Sequence, residues 1–335
     1  MTAAAVHVRD LRKHYGAQRA VDGLDLSVER GEIFAVLGPN GAGKTTTVEI
    51  LEGHRRRDGG EVLVLGEDPG SAGRAWRSRI GIVLQSSDDH AELTVRELVH
   101  HFAAFYPAAR DPEEVIAAVG LTEKARTRTR QLSGGQRRRL DVGLGIVGRP
   151  ELLFLDEPTT GFDPEARRAF WDLIGGLRED GTTILLTTHY LDEAEYLADR
   201  CAVVRDGRVV ALDAPARLGD RAQRHAVVRW DEGGTTREEV TATPTAVVAA
   251  LAGRLGPEVP GLEVRRPSLE DVYLALIGET DAAPVPVALA DGPGAVGAVA
   301  RSGRVEPGRA VAGPSAPSAP SQPATAAAHT LETSR

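Results

Sequence analysis

The chain has 335 residues, 41% of them hydrophobic, which suffices to bury the core of one large domain, with or without a small appendage. Its formal net charge is -8, whereas a chain that mainly grips nucleic acid needs a basic surplus, so we expect no nucleic-acid partner. The single cysteine, Cys201, excludes an internal disulfide and is expected to pack in the core. We also expect no secretion signal and no membrane-spanning helix, because no apolar run has the required length.

From residue 6 to 34, apolar and polar residues alternate around turns, which is typical of antiparallel strands with one solvated face. Later apolar runs are short and nearly continuous, namely IFAVLG, RIGIVLQ, LLFLDE and TTILLTTH. Runs of this kind favour strands of a sheet that helices cover on both faces. The sequence therefore predicts a small antiparallel layer joined to an α/β core.

The glycine loop, residues 38–46, reads GPNGAGKTT and fits the pattern G-x-x-x-x-G-K-[ST] between a strand and a helix. In that context backbone N–H groups and the helix N-terminus bind phosphate oxygens, and side chains would block the approach. We expect Lys44 to reach the β- and γ-phosphates and the Thr45 hydroxyl to ligate Mg²⁺. The alternative is an ordinary glycine-rich turn. The predicted cradle consists of Gly38, Pro39, Asn40, Gly41, Ala42, Gly43, Lys44, Thr45 and Thr46.

Two carboxylates, Asp156 and Glu157, end the apolar run in ELLFLDEPTTGFD. We expect Asp156 to hold Mg²⁺ through water and Glu157 to face an attacking water as a general base. The alternative is that both carboxylates only cap the next helix. His189 ends the run TTILLTTH, and because a lone histidine after a strand is usually structural, its interpretation depends on the other motifs.

A second glycine-containing motif, LSGGQRRRL, covers residues 132–140. Its signature loop, residues 133–136, offers a hydroxyl and bare amides to an anion ahead of a helix, the alternative being a flexible loop. The pattern L-S-G-G-Q occurs here in order with a P-loop, an acidic strand end and a histidine. With these motifs the chain resembles the ATP-binding cassette (ABC) ATPases over about residues 6–220.

The resemblance implies a P-loop NTPase fold with a RecA-like α/β core, an antiparallel β subdomain and a helical subdomain. It also implies a head-to-tail homodimer in which the signature loop of one copy contacts the γ-phosphate of ATP held by the other. Carried over by position, Tyr15 resembles the aromatic residue that stacks on adenine, unless it packs within its strand. Gln85 resembles the glutamine that senses Mg²⁺ and water, and His189 the γ-phosphate switch. The remaining positions carried over are the base Glu157, the signature residues Ser133, Gly134, Gly135 and Gln136, and Asp163, which communicates across the dimer.

The predicted organisation is a cassette at 1–221, a small α+β C-terminal domain at 222–279 and a disordered tail at 280–335. The tail is rich in Ala, Pro, Gly and Ser, and so cannot bury enough apolar surface to become ordered. Asp206-Gly207, between two β-branched runs, predicts a hairpin. Ser268 and Asp271 have the spacing of a helix cap before an apolar stripe, which is a core face or else a partner site.

Three segments, EILEGHRRRDGGEVLVLGEDP, HYLDEAEYLADR and RPSLEDVYLALIG, resemble the drug-resistance ABC ATPases that serve ABC-2 type permeases in bacteria. The resemblance implies a peripheral protein at the cytoplasmic face of the cell membrane. There it would use ATP and Mg²⁺ to power a separately encoded integral membrane permease that exports a drug or other hydrophobic compound. Residues between Gln85 and Ser133 are expected to dock on the permease. The alternative is a soluble ABC ATPase with a regulatory, repair or translation role and no permease.

Overall fold

The computed structural model describes residues 4–83, 92–223 and 225–278, so that Gln85 and the predicted tail at 280–335 lie outside the described residues. In chain order the strands are β1 (Val6–Tyr15), β2 (Gln18–Val28), β3 (Ile33–Leu37), β4 (Gly59–Val64), β5 (Ile80–Val83), β6 (Leu152–Asp156), β7 (Thr183–Thr187), β8 (Arg200–Arg205), β9 (Arg208–Asp213), β10 (Ala226–Glu232), β11 (Thr235–Thr241) and β12 (Glu263–Arg265). The α-helices are α1 (Lys44–Leu51), α2 (Arg74–Arg77), α3 (Val95–Ala103), α4 (Pro112–Ala118), α5 (Gly134–Ile146), α6 (Pro164–Glu179), α7 (Leu191–Leu197), α8 (Pro244–Leu255) and α9 (Leu269–Gly278). Short 3₁₀ turns cover Thr122–Lys124, Thr129–Gln131 and Leu218–Gln223.

The largest sheet has the strand order β5-β6-β7-β3-β8-β9, and its pairs are parallel except for β8 with β9. Along its central strand β3, Ile33, Ala35 and Leu37 join one apolar cluster. Phe34 and Val36 join a second cluster. Because successive side chains of a strand point to opposite faces, both faces of this sheet are covered. The predicted α/β core is confirmed.

The parallel arrangement determines where the functional loops lie. Strands β6, β7 and β3 are neighbours and run in the same direction. The segments that follow them therefore emerge side by side at one edge of the sheet. These segments contain the glycine loop after β3, Glu157 after β6 and His189 after β7.

The antiparallel layer is a three-stranded sheet with the order β2-β1-β4. At the start of β1, Val6 and Val8 are buried while His7 and Arg9 are exposed, as the alternating sequence predicted. The buried residues share the second apolar cluster with Leu51 of α1. This layer therefore packs over the helix that leaves the glycine loop.

The helical subdomain consists of α3, α4 and α5. Thr94 and Glu97 form a capping box at the start of α3, and Asp111 caps α4, whose first residue is Pro112. Apolar residues from all three helices join the first cluster, on the face of the large sheet opposite the antiparallel layer. The helical subdomain that the resemblance implied is thus present.

After the cassette motifs, β8 and β9 form the predicted hairpin. Asp206 and Gly207 both have positive φ angles, of 50° and 74°, as a type I′ turn requires. The sheet β11-β10-β12 follows and packs on α8 around Trp230 and Leu251. Helix α9 instead returns to the first cluster, where Leu269 is buried. The domain boundary at 221/222 stays a prediction.

Cys201 lies in β8 and is fully buried, as expected of a core thiol. Burial raises the pKa of its thiol to about 12, with Asp213 adding to the effect. In the described ranges, no helix combines the length and the hydropathy that crossing a bilayer requires.

Candidate functional site

The glycines of the glycine loop are there for different physical reasons. A Cβ at Gly38 would lie 2.3 Å from the carbonyl oxygen of Val204, and one at Gly43 would lie 2.3 Å from that of Ala20. Gly43 also has a φ of +102° at the N-cap of α1. At Gly41, by contrast, φ is +82° and an added Cβ would meet no described atom within 4 Å. The left-handed φ therefore accounts for Gly41, whereas at the other two a neighbouring carbonyl oxygen also excludes a side chain.

Lys44 begins α1 and turns its ammonium group back into the loop. Its Nζ donates to the carbonyl oxygens of Gly38 at 2.7 Å and Pro39 at 3.1 Å. Burial lowers the pKa of Lys44, while the carboxylates of Glu157 and Asp156 act in the opposite direction. The loop thus holds a buried cation within electrostatic reach of the acidic end of β6.

The other residues of the predicted cradle differ in exposure. Ala42 is buried under the loop, and Thr46 is half-buried in the first turn of α1. The residues that face solvent are Pro39, Asn40, Gly41 and Thr45.

At the end of β6, Asp156 is anchored by Thr187, the last residue of β7. The Thr187 hydroxyl donates to Asp156 Oδ1 at 2.5 Å. The backbone N–H of Glu157 donates to the carbonyl oxygen of Thr187 at 3.1 Å and to its hydroxyl oxygen at 3.2 Å. Sequence reasoning did not single out Thr187, which is buried and joins the two strand ends.

Glu157 and His189 lie next to each other at this edge. His189 Nδ1 is 3.3 Å from Glu157 Oε1, and the two side chains are 41% and 21% exposed respectively. Glu157 has a φ of +43°, in the left-handed region that non-glycine residues seldom adopt. The structure therefore brings the predicted base and the predicted switch together, with both side chains accessible to a reactant.

Sequence reasoning missed Arg138, the second of three consecutive arginines on α5. Its side chain is buried, and its Nη2 donates to the carbonyl oxygen of Asp156 at 2.6 Å. Its Nε donates to the carbonyl oxygen of Pro158 at 3.1 Å. Burial lowers the pKa of Arg138, although it stays a cation. The helical period did indicate this burial, because Arg138 lies four and eight residues before the buried Val142 and Ile146, on the same face of α5.

Glu193 on α7 is a second residue that sequence reasoning missed. It is fully buried, and its Oε1 accepts hydrogen bonds from Thr159 Oγ1 at 2.9 Å and from Trp171 Nε1 at 3.2 Å. Burial raises the pKa of its carboxyl group. Because Thr159 follows Glu157 and Glu193 follows His189 in the chain, this carboxyl group links the segments that carry the base and the switch.

Tyr15 ends β1 with 41% of its surface exposed. The Arg55 guanidinium lies 5.4 Å from the centre of the ring, and Lys13 Nζ lies 5.6 Å from it. Arg55 also pairs with Glu49. The ring is therefore open on the surface rather than packed within the layer, which is compatible with base stacking, and this role stays a prediction.

The signature loop begins α5. The Ser133 hydroxyl accepts from the N–H of Gln136 at 3.3 Å, and Gln136 Oε1 accepts from the N–H of Ser133 at 3.1 Å, which is a capping box. Asp163 similarly caps α6, where its Oδ1 accepts from the N–H of Ala166 at 2.8 Å. Both caps line one cavity of about 500 Å³, together with Gly134 and Gly135. Among the described residues lining this cavity, none belongs to the glycine loop.

A further cavity, of about 440 Å³, lies between the end of α1 and the helical subdomain. Glu52 and His54 line one side, and Phe102, Tyr106 and Leu144 line the other. Glu52 is 6% exposed, and burial, with smaller contributions from Asp156 and Glu49, raises its pKa to about 8. No local sequence pattern predicted this buried carboxyl group.

Comparison with known proteins accounts for this combination of loops. The ABC transporter family model matches residues 21–160. The daunorubicin resistance ATP-binding protein DrrA3 of Streptomyces coeruleorubidus is 39% identical over 83% of this chain and 98% of its own length. A Nod factor export ATP-binding protein of Rhizobium sp. (strain N33) has the same identity and coverage. A fluoroquinolones export ATP-binding protein of Mycobacterium tuberculosis is 39% identical over 82% of this chain and 93% of its own length.

Solved structures agree with these relatives. CbiO1 of Clostridium perfringens, part of the ABC transporter complex cbiONQ, superposes with a TM-score of 0.58 at 28% identity, covering 64% of this chain and 90% of its own. A dimeric ATP-binding cassette in a post-hydrolysis state, bound to ADP and phosphate, superposes with a TM-score of 0.57 at 25% identity, covering 62% and 98%. The chain therefore belongs to the ABC transporter family, as an ATP-binding subunit that hydrolyses ATP.

Proposed function

We propose that this ATPase powers a separate membrane permease of the ABC-2 type that exports a drug or other hydrophobic compound. The relatives named for daunorubicin resistance and for fluoroquinolone export support this proposal. The protein would act as a peripheral subunit at the cytoplasmic face of the cell membrane. Because those relatives are named for different compounds, we propose the class of exported compound and not a particular compound.

The observation that carries the proposed mechanism is the division of the motifs between two faces of one copy. Lys44, Asp156, Glu157 and His189 share the sheet edge, whereas the cavity at the signature loop contains no described residue of the glycine loop. A site that needs both loops is then complete only when two copies meet head to tail. The dimeric cassette bound to ADP and phosphate supports such a pairing.

Mg²⁺ fits the oxygen donors at this edge. Thr45 offers an exposed hydroxyl and Asp156 a carboxylate that Thr187 already orients, and these are ligand types that Mg²⁺ prefers. Gln85, the third proposed ligand, lies outside the described residues. When bound, Mg²⁺ would supply positive charge that offsets the negative charge of the nucleotide phosphates.

The protein's own residues then divide the remaining work. Lys44 exchanges its bonds to the carbonyl oxygens of Gly38 and Pro39 for bonds to phosphate oxygens. Glu157 accepts a proton from the attacking water, and His189, in contact with Glu157, holds the γ-phosphate and the water in line. Tyr15 stacks on the adenine. Ser133, Gly134, Gly135, Gln136 and Asp163 act on the nucleotide of the other copy.

ATP turnover per copy tests the two-copy mechanism. We expect the rate per molecule to rise with protein concentration and to fall at dilutions where pairing is lost. Glu157→Gln is expected to lower turnover by about 10²- to 10⁴-fold while ATP affinity is retained, because only the base is removed. A rate per molecule independent of concentration would contradict the paired site, and undiminished turnover of Glu157→Gln would remove Glu157 from its role.

We further propose that the permease docks at the cavity of about 440 Å³, whose wall includes Phe102 and Tyr106 from the segment between Gln85 and Ser133. Phe105, next to this wall, is 68% exposed and contacts the rings of His101 and Phe102 edge to face. Exposed aromatic side chains of this kind are enriched where protein partners bind.

Co-purification with a multi-span membrane protein encoded beside this chain, where one is found, tests the docking site. Phe105→Ala is expected to reduce recovery of the complex without changing the ATPase rate of the isolated protein. Leu274→Ala, at a residue of α9 that is 54% exposed, is the matched control and should leave recovery unchanged. Full ATPase activity with no membrane recovery and no neighbouring permease would instead favour a soluble regulatory ATPase.

A further inference from the structure

Glu157 has a backbone conformation that needs outside support. Its φ of +43° is in the left-handed region, where a side chain with a Cβ is strained. Such conformations persist only when the surrounding structure holds them, and they occur often at functional sites. The residues that hold the backbone of Glu157 therefore also determine where its carboxylate points.

Besides a contact within its own turn, from the N–H of Thr160 to the carbonyl oxygen of Glu157 at 3.4 Å, groups from two other segments hold this backbone. On one side, the N–H of Glu157 donates to the carbonyl and hydroxyl oxygens of Thr187. On the other side, the guanidinium of Arg138 binds the carbonyl oxygens of Asp156 and Pro158, the residues before and after Glu157. A planar guanidinium can reach two carbonyl groups at fixed angles, which the single ammonium of a lysine cannot reproduce.

The position of Arg138 in the chain also connects this contact to the signature loop. Arg138 lies on α5 only five residues after Ser133, the residue that caps this helix. The helix is regular between these two positions, and the Arg138 side chain is buried against the end of β6. The segment of α5 between Ser133 and Arg138 is short and rigid. A shift of the first turn of α5 therefore moves Arg138, and with it the backbone of Glu157.

We propose that Arg138 is a positioning residue for hydrolysis: it holds Glu157 in its left-handed conformation and makes that conformation depend on the helix that carries the signature loop. In each copy, the helix that contacts the partner's nucleotide would thereby also set the base that acts on the copy's own nucleotide. This inference rests on the hydrolytic role proposed above for Glu157.

Steady-state kinetics of Arg138→Lys in the full-length protein test the proposal. We expect kcat to fall by about 100-fold, because a small misplacement of a catalytic group has an effect of this size, while the Kd for ATP stays within about threefold. The matched control is Arg57→Lys, which also removes a two-pronged guanidinium contact, to Asp68 at 2.8 and 2.7 Å, but far along the chain from Glu157. The control should keep the wild-type kcat.

A wild-type kcat in a folded, ATP-binding Arg138→Lys protein would overturn the proposal. So would an equal loss of kcat in Arg57→Lys, because the effect would then be one of general stability. If Arg138→Lys does not fold, Arg138→Gln is measured in the same way. Failure of both variants to fold would also overturn the proposal, since Arg138 would then be required for the fold and not for positioning the base.

The double variant separates this inference from the proposed function. If Arg138 acts only through Glu157, adding Arg138→Lys to Glu157→Gln should lower the residual turnover by no more than about twofold. A further large loss would mean that Arg138 acts elsewhere. Normal turnover of Glu157→Gln alone would refute the role of Glu157. An inactive Glu157→Gln beside an active Arg138→Lys would refute the positioning role alone.

Discussion

The glycine loop and the signature loop both precede a helix, yet the chain encloses them very differently. In the glycine loop, backbone carbonyl groups leave no room for a Cβ at Gly38 or Gly43. In the signature loop, a Cβ at Gly134 would meet no described atom within 4 Å, and one at Gly135 would meet Ala166 at an ordinary 3.7 Å. The first loop is thus completed by its own chain, whereas the second is left open on the side where a partner can approach.

Among the tests of this comparison, the largest effect should come from removing the cation that the first loop encloses. Lys44→Ala is expected to weaken ATP binding by roughly 100-fold, because charge-assisted hydrogen bonds to phosphate are lost. Titration of a fluorescent ATP analogue measures this. Lys124→Ala, at an exposed lysine of the helical subdomain, is the control and should bind ATP normally. Unchanged affinity in Lys44→Ala would contradict the assignment of the loop.

A pair of glycine substitutions tests the comparison itself. Gly43→Ala should lower the free energy of unfolding by roughly 1–3 kcal/mol, because the new Cβ meets the Ala20 carbonyl in a left-handed backbone. Gly135→Ala, within α5, should preserve or raise stability by roughly 0.5–1 kcal/mol, yet lower ATP turnover by obstructing the partner's nucleotide. Urea denaturation and turnover assays measure both. Equal stability losses would show that the two loops are not enclosed differently.

The sequence predicted the parts of the site in which a short pattern carries the chemistry. The glycine loop, the acidic end of β6 and the signature loop could each be recognised from consecutive residues. The parallel order of β6, β7 and β3 then explains why Glu157 and His189, 32 positions apart in the numbering, end up 3.3 Å from each other. A histidine at the end of a buried apolar run was a sufficient signal once the other motifs were known.

The remaining parts depend on contacts between distant segments, which no local pattern encodes. Thr187 looks like any strand residue, and its role appears only where its hydroxyl meets Asp156. Arg138 is the middle one of three consecutive arginines, and only its position on the buried face of α5 distinguishes it from its two neighbours. Glu52 and Glu193 read as surface carboxylates because glutamate usually is exposed, although here both are buried.

The helices that follow the two loops also differ, and pH can reveal this difference. The residue after α1 is the buried Glu52, whose pKa is raised to about 8, whereas α5 carries the buried cation Arg138. Since the folded state holds the proton of Glu52 more tightly than the unfolded state does, stability falls as pH rises from about 5 to about 8. Glu52→Gln removes this dependence and should be more stable than wild type at pH 8 by roughly 1–2 kcal/mol.

Denaturation of both proteins across this pH range measures the effect, and Glu61→Gln, at an exposed glutamate of β4, serves as the control. Parallel stability profiles for wild type and Glu52→Gln would mean that Glu52 ionises in the folded protein as it does in the unfolded chain.

The smallest effect concerns the caps. Ser133→Ala should lower the free energy of unfolding by about 1 kcal/mol, through loss of the capping box of α5. Thr94→Ala removes the equivalent capping box of α3 and should cost a similar amount. Only Ser133→Ala is expected to weaken pairing of two copies in ATP, measured by analytical ultracentrifugation. Weaker pairing in both variants would instead indicate a general loss of stability.

The buried sulfur atom of Cys201 has a practical consequence. Maleimides and iodoacetamides react with thiolates, and a thiol with a pKa of about 12 in a closed interior offers almost none at neutral pH. The native protein should therefore not react with these labels, and its cysteine need not be removed first. Fluorophores attached to introduced surface cysteines would then report distances between protomers during the ATP cycle, in an otherwise unaltered background.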